Sequence, residues 1–313
     1  MQKDLLFNLQ QSVSARPKPV AEVRSLANQP EPKSFLVAAL AWHGSVTPIV
    51  LPRVVFSSVF AAVICGLAQL VDEFYIPITP FEYSGAVLAL ILVMRVNAGH
   101  DRWWEARKIW GSIVNQSRNL AIVVSAYGGG KKDTVEQLLK LIAAWPHVMR
   151  QSLRNEKDLR EVVQLVGPEE ADAIRRSQHM PIYVGQKIAK LLDELRRHRM
   201  DRVAFHRAET ERSQLIDAIG ACERIRNTRM PLVLVIKTRR FIMMFLALLP
   251  LALVERIGWF TPFIMALASY PLFSLDEIGA ELQNPFSEQN LSHLPLNDIC
   301  NNITDNVMAL VES

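Results

Sequence analysis

Catalysis needs groups that converge: a base beside a nucleophile, several ligands for one metal, or a glycine-rich cradle for a phosphate. The 7 histidines of this chain are scattered, with no pair spaced i, i+4. His100 and His206 read as surface or interface residues rather than bases. There is no H-E-x-x-H, no G-x-S-x-G, no dinucleotide fingerprint and no aspartate-rich metal pair in an apolar segment. Gly129-Gly130-Lys131-Lys132 lacks the hydroxyl and the upstream glycine of a phosphate loop, and reads as a turn. Cys65, Cys222 and Cys300 are odd in number, far apart and outside any metal spacing, which argues for reduced thiols and against zinc or disulfides. The expectation is therefore no catalytic residue, no metal and no cofactor.

What is patterned instead is the stretch from Thr79 to Asn119. Thr79-Pro80-Phe81-Glu82 has the form of a capping box, with Thr79 as N-cap, Pro80 in the first turn and Glu82 reaching back. An uncharged run follows from Tyr83 to Met94. Beyond Arg95, Trp103, Trp110, Ile113, Leu120 and Val124 recur three or four apart among charged residues. No breaker separates the halves, so one helix is expected to leave a membrane and continue in water.

The elements around it follow from hydropathy. Val54–Val71 is uncharged and long enough to span, with Arg53 before it and Asp72-Glu73 after it. The positive-inside rule puts the Arg53 end in the cytosol, with Arg16, Lys18, Arg24 and Lys33 behind it. The Thr79 helix then returns inward and delivers Arg95, Arg102, Arg107 and Lys108 to the same side. Residues 97 to 228 keep helical periodicity, broken at Gly128–Gly130, Gly167-Pro168 and Met180-Pro181. Pro231 opens a third apolar segment, uncharged only from Phe241 to Val254. Glu255-Arg256 read as an outer loop, and Ile257–Leu275 as a fourth span whose Thr261-Pro262-Phe263 echoes Thr79-Pro80-Phe81. Asp276, Glu277 and Glu281 mark the return to cytosol, and Leu296–Val311 reads as a surface helix.

Half the residues are apolar while 21% are charged, as expected of a chain shared between lipid and water. A net charge of +4 is weak ground for nucleic acid. Arg196-Arg197-His198-Arg199, without interleaved aromatics, reads as a solvated face. Residues 1 to 33 carry Asp4, Glu22 and Glu31 and neither a signal-peptide core nor a transit pattern. The expected protein is all-α, with four transmembrane segments, a large cytosolic helical region and both termini cytosolic, in a bacterial inner membrane. Its parts are residues 1–47, a cytosolic N-terminal segment; 48–96, the first two membrane helices; 97–228, the cytosolic region; 229–280, the last two membrane helices; and 281–313, a cytosolic tail.

Arg95, Asn97, Arg102, Trp103, Glu105, Ala106 and Arg107 match an R-x-N-x-x-x-x-R-[WF]-x-E-[AG]-R segment. Ala221-Cys222-Glu223-Arg224-Ile225, Met230-Pro231-Leu232, Gly258-Trp259, Asp276-Glu277-Ile278-Gly279 and Asn284-Pro285-Phe286 follow in matching order. With them, residues 48 to 310 resemble the bestrophin family of pentameric ion channels, in its branch of bacterial homologues and plant thylakoid chloride channels. The resemblance implies a homopentamer in membrane lipid that passes chloride or another small inorganic ion, with no nucleic-acid partner. It puts the pore neck at Thr79, Tyr83 and Val87 and a cytosolic constriction at Val203. Family necks carry large apolar residues; here a hydroxyl, a phenol and a small branched side chain make a neck that wets more easily, and so a leaky pore. Glu82 is either an acidic collar at the outer mouth, favouring cations, or the partner in the helix cap. Some bacterial homologues are cation-selective, so a cation channel stands beside the anion reading, and a membrane-anchored scaffold without flux stands beside both. Animal members bind calcium with acidic residues after Asn-Pro-Phe; here Ser287-Glu288-Gln289-Asn290-Leu291-Ser292 offers neutral side chains at those positions, so calcium gating of that type is expected to be absent.

Overall fold

Thr79 begins a single unbroken helix that runs to Tyr127, 49 residues in the computed structural model of the protein. At about 1.5 Å per residue it is roughly 73 Å long. The structure describes residues 34–70 and 76–312; the basic residues Arg16 to Lys33 and the Asp72-Glu73 pair, invoked above for orientation, lie outside them. In chain order the helices are α1 (Phe35–Ala39), α2 (Thr47–Ala68), α3 (Thr79–Tyr127), α4 (Lys132–Arg154), α5 (Arg160–Val166), α6 (Pro168–Arg176), α7 (Met180–His198), α8 (Arg202–Asn227), α9 (Leu232–Ile257), α10 (Thr261–Glu281) and α11 (Leu296–Glu312). The described residues hold no strand.

Three helical stretches are long and apolar enough to cross a membrane: Thr47–Ala68, Thr79–Tyr127 and Leu232–Glu281. The third turns back on itself at the 3-10 turn Gly258–Phe260, where Gly258 takes φ +52°, a conformation a side chain disfavours. Arg239 of α9 meets Asp276 of α10, so the two form a hairpin. The turn corrects the sequence reading: Glu255 and Arg256 lie in the last turn of α9 rather than in a loop. Helix α2 lies antiparallel to α10, with Arg53 against Glu277 at one end and the Cys65 thiol against the Gly258 carbonyl at the other. It starts at Thr47, well before the uncharged run, because Pro48 suits a first turn.

The start of α3 is a second correction. Ile78 precedes the helix in αR conformation, Phe81 and Glu82 donate their amides to the Ile78 carbonyl, and no side chain caps the end. Thr79 is thus already helical, a geometry from which its hydroxyl does not reach the N2 and N3 amides. The expected capping box is absent, although Pro80 sits in the first turn as expected.

Two apolar cores flank the rod. The smaller joins Leu88 and Leu92 of α3 to Ala61, Ile242, Leu246, Leu249 and Met265. The larger is built around α4, which is buried on every side from Leu141 to Gln151. A helix buried all round is the centre of its layer. Trp110, Trp145, Ile142 and Leu192 fill this core, and Trp145 donates to the Pro181 carbonyl at 2.9 Å. The 128–130 glycines, Gly167-Pro168 and Met180-Pro181 end or start helices as anticipated. A further break at Asn155, with φ 59°, carried no glycine or proline to announce it.

Candidate functional site

Residues three and four apart on α3 divide it into two faces along its whole length. One is buried: Leu88, Leu92, Arg95, Gly99, Ala106, Trp110, Ile113, Ser117, Leu120 and Val124. The opposite face is exposed among the described residues. Thr79, Tyr83 and Val87 lie on it, with Tyr83 72% and Val87 58% exposed. The exposed line stays apolar through Leu90 and Met94, then turns polar at Asn97, Asp101, Lys108, Asn115 and Asn119. Trp104 and Ile122 remain exposed among these polar residues, at 50% and 53%, so the far half of the face is mostly rather than wholly hydrophilic. Glu82 is exposed beside Tyr83 and is not engaged in a cap. Val203, the other predicted constriction, opens α8 and is 77% exposed, although its surroundings are polar. Asp201 holds it there by accepting the amides of Val203 and Ala204. The three residues expected at a neck therefore share one face, and Val203 stands on a different helix.

The conserved-looking arginine segment does something else. Arg95 is almost fully buried and pairs with Asp276 at 2.7 Å; Arg239 reaches the other oxygen of Asp276 at 3.0 Å. An unpaired charge at this depth would cost several kcal/mol, on the order of 3–5 when one partner is removed. Arg102 fans its guanidinium over the carbonyls of Ile225, Thr228 and Gln283, the ends of α8 and α10. Cations belong at helix C-termini, where carbonyls lack intrahelical partners. Trp103 donates to the Ser292 carbonyl at 2.7 Å, Glu105 pairs with Arg224 at 2.8 Å, and Ala106 is wholly buried. Most of the segment thus bolts the rod to its neighbours, leaving Asn97 and Arg107 exposed. Sequence reading used Asp276 as a boundary mark and as part of a motif, without giving it a partner. Its role was signalled by its position, an acid ending one apolar run as Arg95 ends another.

The segment after α10 is closed by its own donors. Asn290 gives its amide to the Glu281 and Asn284 carbonyls at 3.0 and 2.9 Å, and the Leu291 amide reaches the Glu281 carboxylate at 2.6 Å. Arg154 donates to the Phe286 carbonyl and pairs with Glu288. The described residues contain no group of three or more side chains placed to hold a metal ion.

Comparison with known proteins agrees with this architecture. The family model described as Bacterial/Fungal Bestrophin protein matches residues 26–309. A voltage-dependent anion channel-forming protein of a Nostoc species is 32% identical over 280 residues, covering 88% of this chain and 91% of that protein. One from Mesorhizobium japonicum is 34% identical over 290 residues, covering 90% and 91%. The crystal structure of a bacterial bestrophin homologue from Klebsiella pneumoniae superposes with a TM-score of 0.77 at 24% identity, over 86% of this chain and 100% of that one.

Proposed function

The chain belongs to the bacterial and fungal bestrophin family, and from that premise we propose that it is a membrane channel that passes small inorganic anions, chloride foremost, down their gradient. The observation that carries this reading is the exposed face of α3, apolar at one end and mostly polar at the other. Side chains placed on a symmetry axis are repeated by every copy, so one exposed line on one helix becomes a series of collars. In this reading five copies stand around α3. Thr79, Tyr83 and Val87 form the neck, and Val203 forms a constriction at the cytosolic end. Four spans (α2, the first half of α3, α9 and α10) leave both termini in the cytosol of a bacterial inner membrane. The relatives' names support anions.

Exposed Glu82 supports a second reading. Free of any cap and one residue from Tyr83, it would ring the outer mouth with carboxylates and favour cations. Purified protein in liposomes under a potassium chloride gradient separates the two. A reversal potential on the chloride side of zero is the expected result. The opposite sign selects the cation channel, and no current leaves only a scaffold.

A further inference from the structure

The end of the rod farthest from the apolar segments carries a concentration of positive charge. Starting from Arg95, Tyr127 lies roughly 48 Å along α3 at about 1.5 Å per residue. There the 128–130 turn packs on the 199–200 turn so closely that a side chain at Gly129 would come within 3.0 Å of Arg199 and of the Met200 amide nitrogen. Three helix ends meet at this contact: the start of α4 with Lys131 and Lys132, the end of α7 with Arg196, Arg197 and His198, and the start of α8 with Arg202. Six guanidinium or ammonium groups face four carboxylates, those of Asp133, Asp193, Glu194 and Asp201.

The carboxylates are largely committed. Asp193 is shared by Arg196 and Arg197, and Glu194 is held by Lys131. Asp201 spends an oxygen on the amides that open α8. These pairings account for the part of the basic run that behaves as an ordinary solvated face. They leave Lys132, Arg199 and Arg202 exposed and without an acidic partner among the described residues. Arg202 is the residue before Val203, the apolar side chain that stands uncovered at the same tip. Two aromatic side chains lie here, exposed Tyr127 and Phe205, and Arg196 covers the second at 5.4 Å.

We propose that Lys132, Arg199 and Arg202 form a basic collar at the cytosolic opening that raises the local concentration of small anions and so favours their passage through Val203. This rests on the channel reading above, because only a ring of copies turns three side chains per chain into a collar. The α8 amides are already capped, so the collar acts through charge at a distance rather than as a binding pocket. Its action must then fade with salt: the screening length is about 30 Å at about 0.01 M and about 3 Å at about 1 M.

The test compares the full-length protein with the double variants Arg199→Gln/Arg202→Gln and Arg199→Lys/Arg202→Lys, each reconstituted in planar bilayers. The glutamine variant should lose about threefold in chloride conductance at low salt and almost nothing at high salt. The lysine variant should keep wild-type conductance at both. Both altered positions are on the surface, and an unchanged elution volume in detergent checks assembly. A glutamine variant that matches wild type at low salt, or falls equally at both salts, overturns the collar. Wild-type protein that carries no chloride overturns the channel reading itself, and that result is visible before any variant is compared.

Discussion

Tyr83 shows what a single side chain contributes. Its phenol is exposed on the uncovered face of α3 between Thr79 and Val87. In the proposed neck, a hydroxyl lowers the cost of keeping water in a narrow passage. Removing it in Tyr83→Phe should lower basal flux by about two- to fivefold with no change in reversal potential; unchanged flux would detach Tyr83 from the neck. His147 shows a different kind of residue, visible only in the fold. Its Nε2 bonds the Thr304 hydroxyl of α11 at 2.9 Å, and that hydroxyl bonds the Ala143 carbonyl. Its Nδ1 is buried without a partner. Burial, aided by Arg150, pushes the pKa down to about 4, against about 6.5 in an unfolded chain. The fold therefore favours neutral His147. That contribution is complete above about pH 6.5 and is lost as pH falls toward about 4, for a total of about 3 kcal/mol. Thermal melting in detergent at pH 5 should lie below that at pH 7, and His147→Gln should flatten the difference. Nothing in the sequence around His147 distinguishes it from the other six histidines, because burial is set by α11 arriving from far along the chain.

At the scale of elements, α3 was legible because its pattern is local: an uncharged run, then apolar residues at helical spacing, with no breaker between. Its first residue was not. Whether Thr79 caps the helix or begins it depends on the backbone of Ile78, which a motif does not record. The hairpin of α9 and α10 was anticipated, but its turn falls at Gly258 and not at the charged pair before it, since the positive φ goes to glycine. The closest approach of α3 and α10 is also beyond a motif. A side chain at Gly99 would lie 3.0 Å from the Leu282 Cβ and 3.3 Å from the Gly279 carbonyl. Gly99→Leu should therefore force the helices apart and cost about 2 kcal/mol, read as a lower melting temperature in detergent; a stability equal to wild type would show that the contact is not close. The neighbouring Arg95–Asp276 pair depends on this approach, so the loss should extend to it.

For the whole molecule, the exposed apolar surface of one chain is the feature to account for. The uncovered lines on α2, α3, α9 and α10, including Phe56, Val59, Met244 and Phe263, leave more apolar surface than water tolerates on a soluble monomer. Lipid covers some of it, and in the proposed ring a second copy covers more. A detergent-free particle mass near five times 35.4 kDa is the expected outcome, and a monomer at micromolar concentration would remove the ring. Composition and periodicity by themselves determined an all-helical membrane protein and the course of its long helix, and short motifs carried the family resemblance, because each is a property of residues close in the chain. Tertiary structure alone decided that Arg95 and Arg102 fasten helices together while Tyr83 and Val203 stay uncovered, and that Arg199 and Arg202 stand unpaired while their neighbours do not. Those outcomes depend on which groups distant in sequence reach each other first, and a charge or a hydroxyl takes its role from the partner it finds.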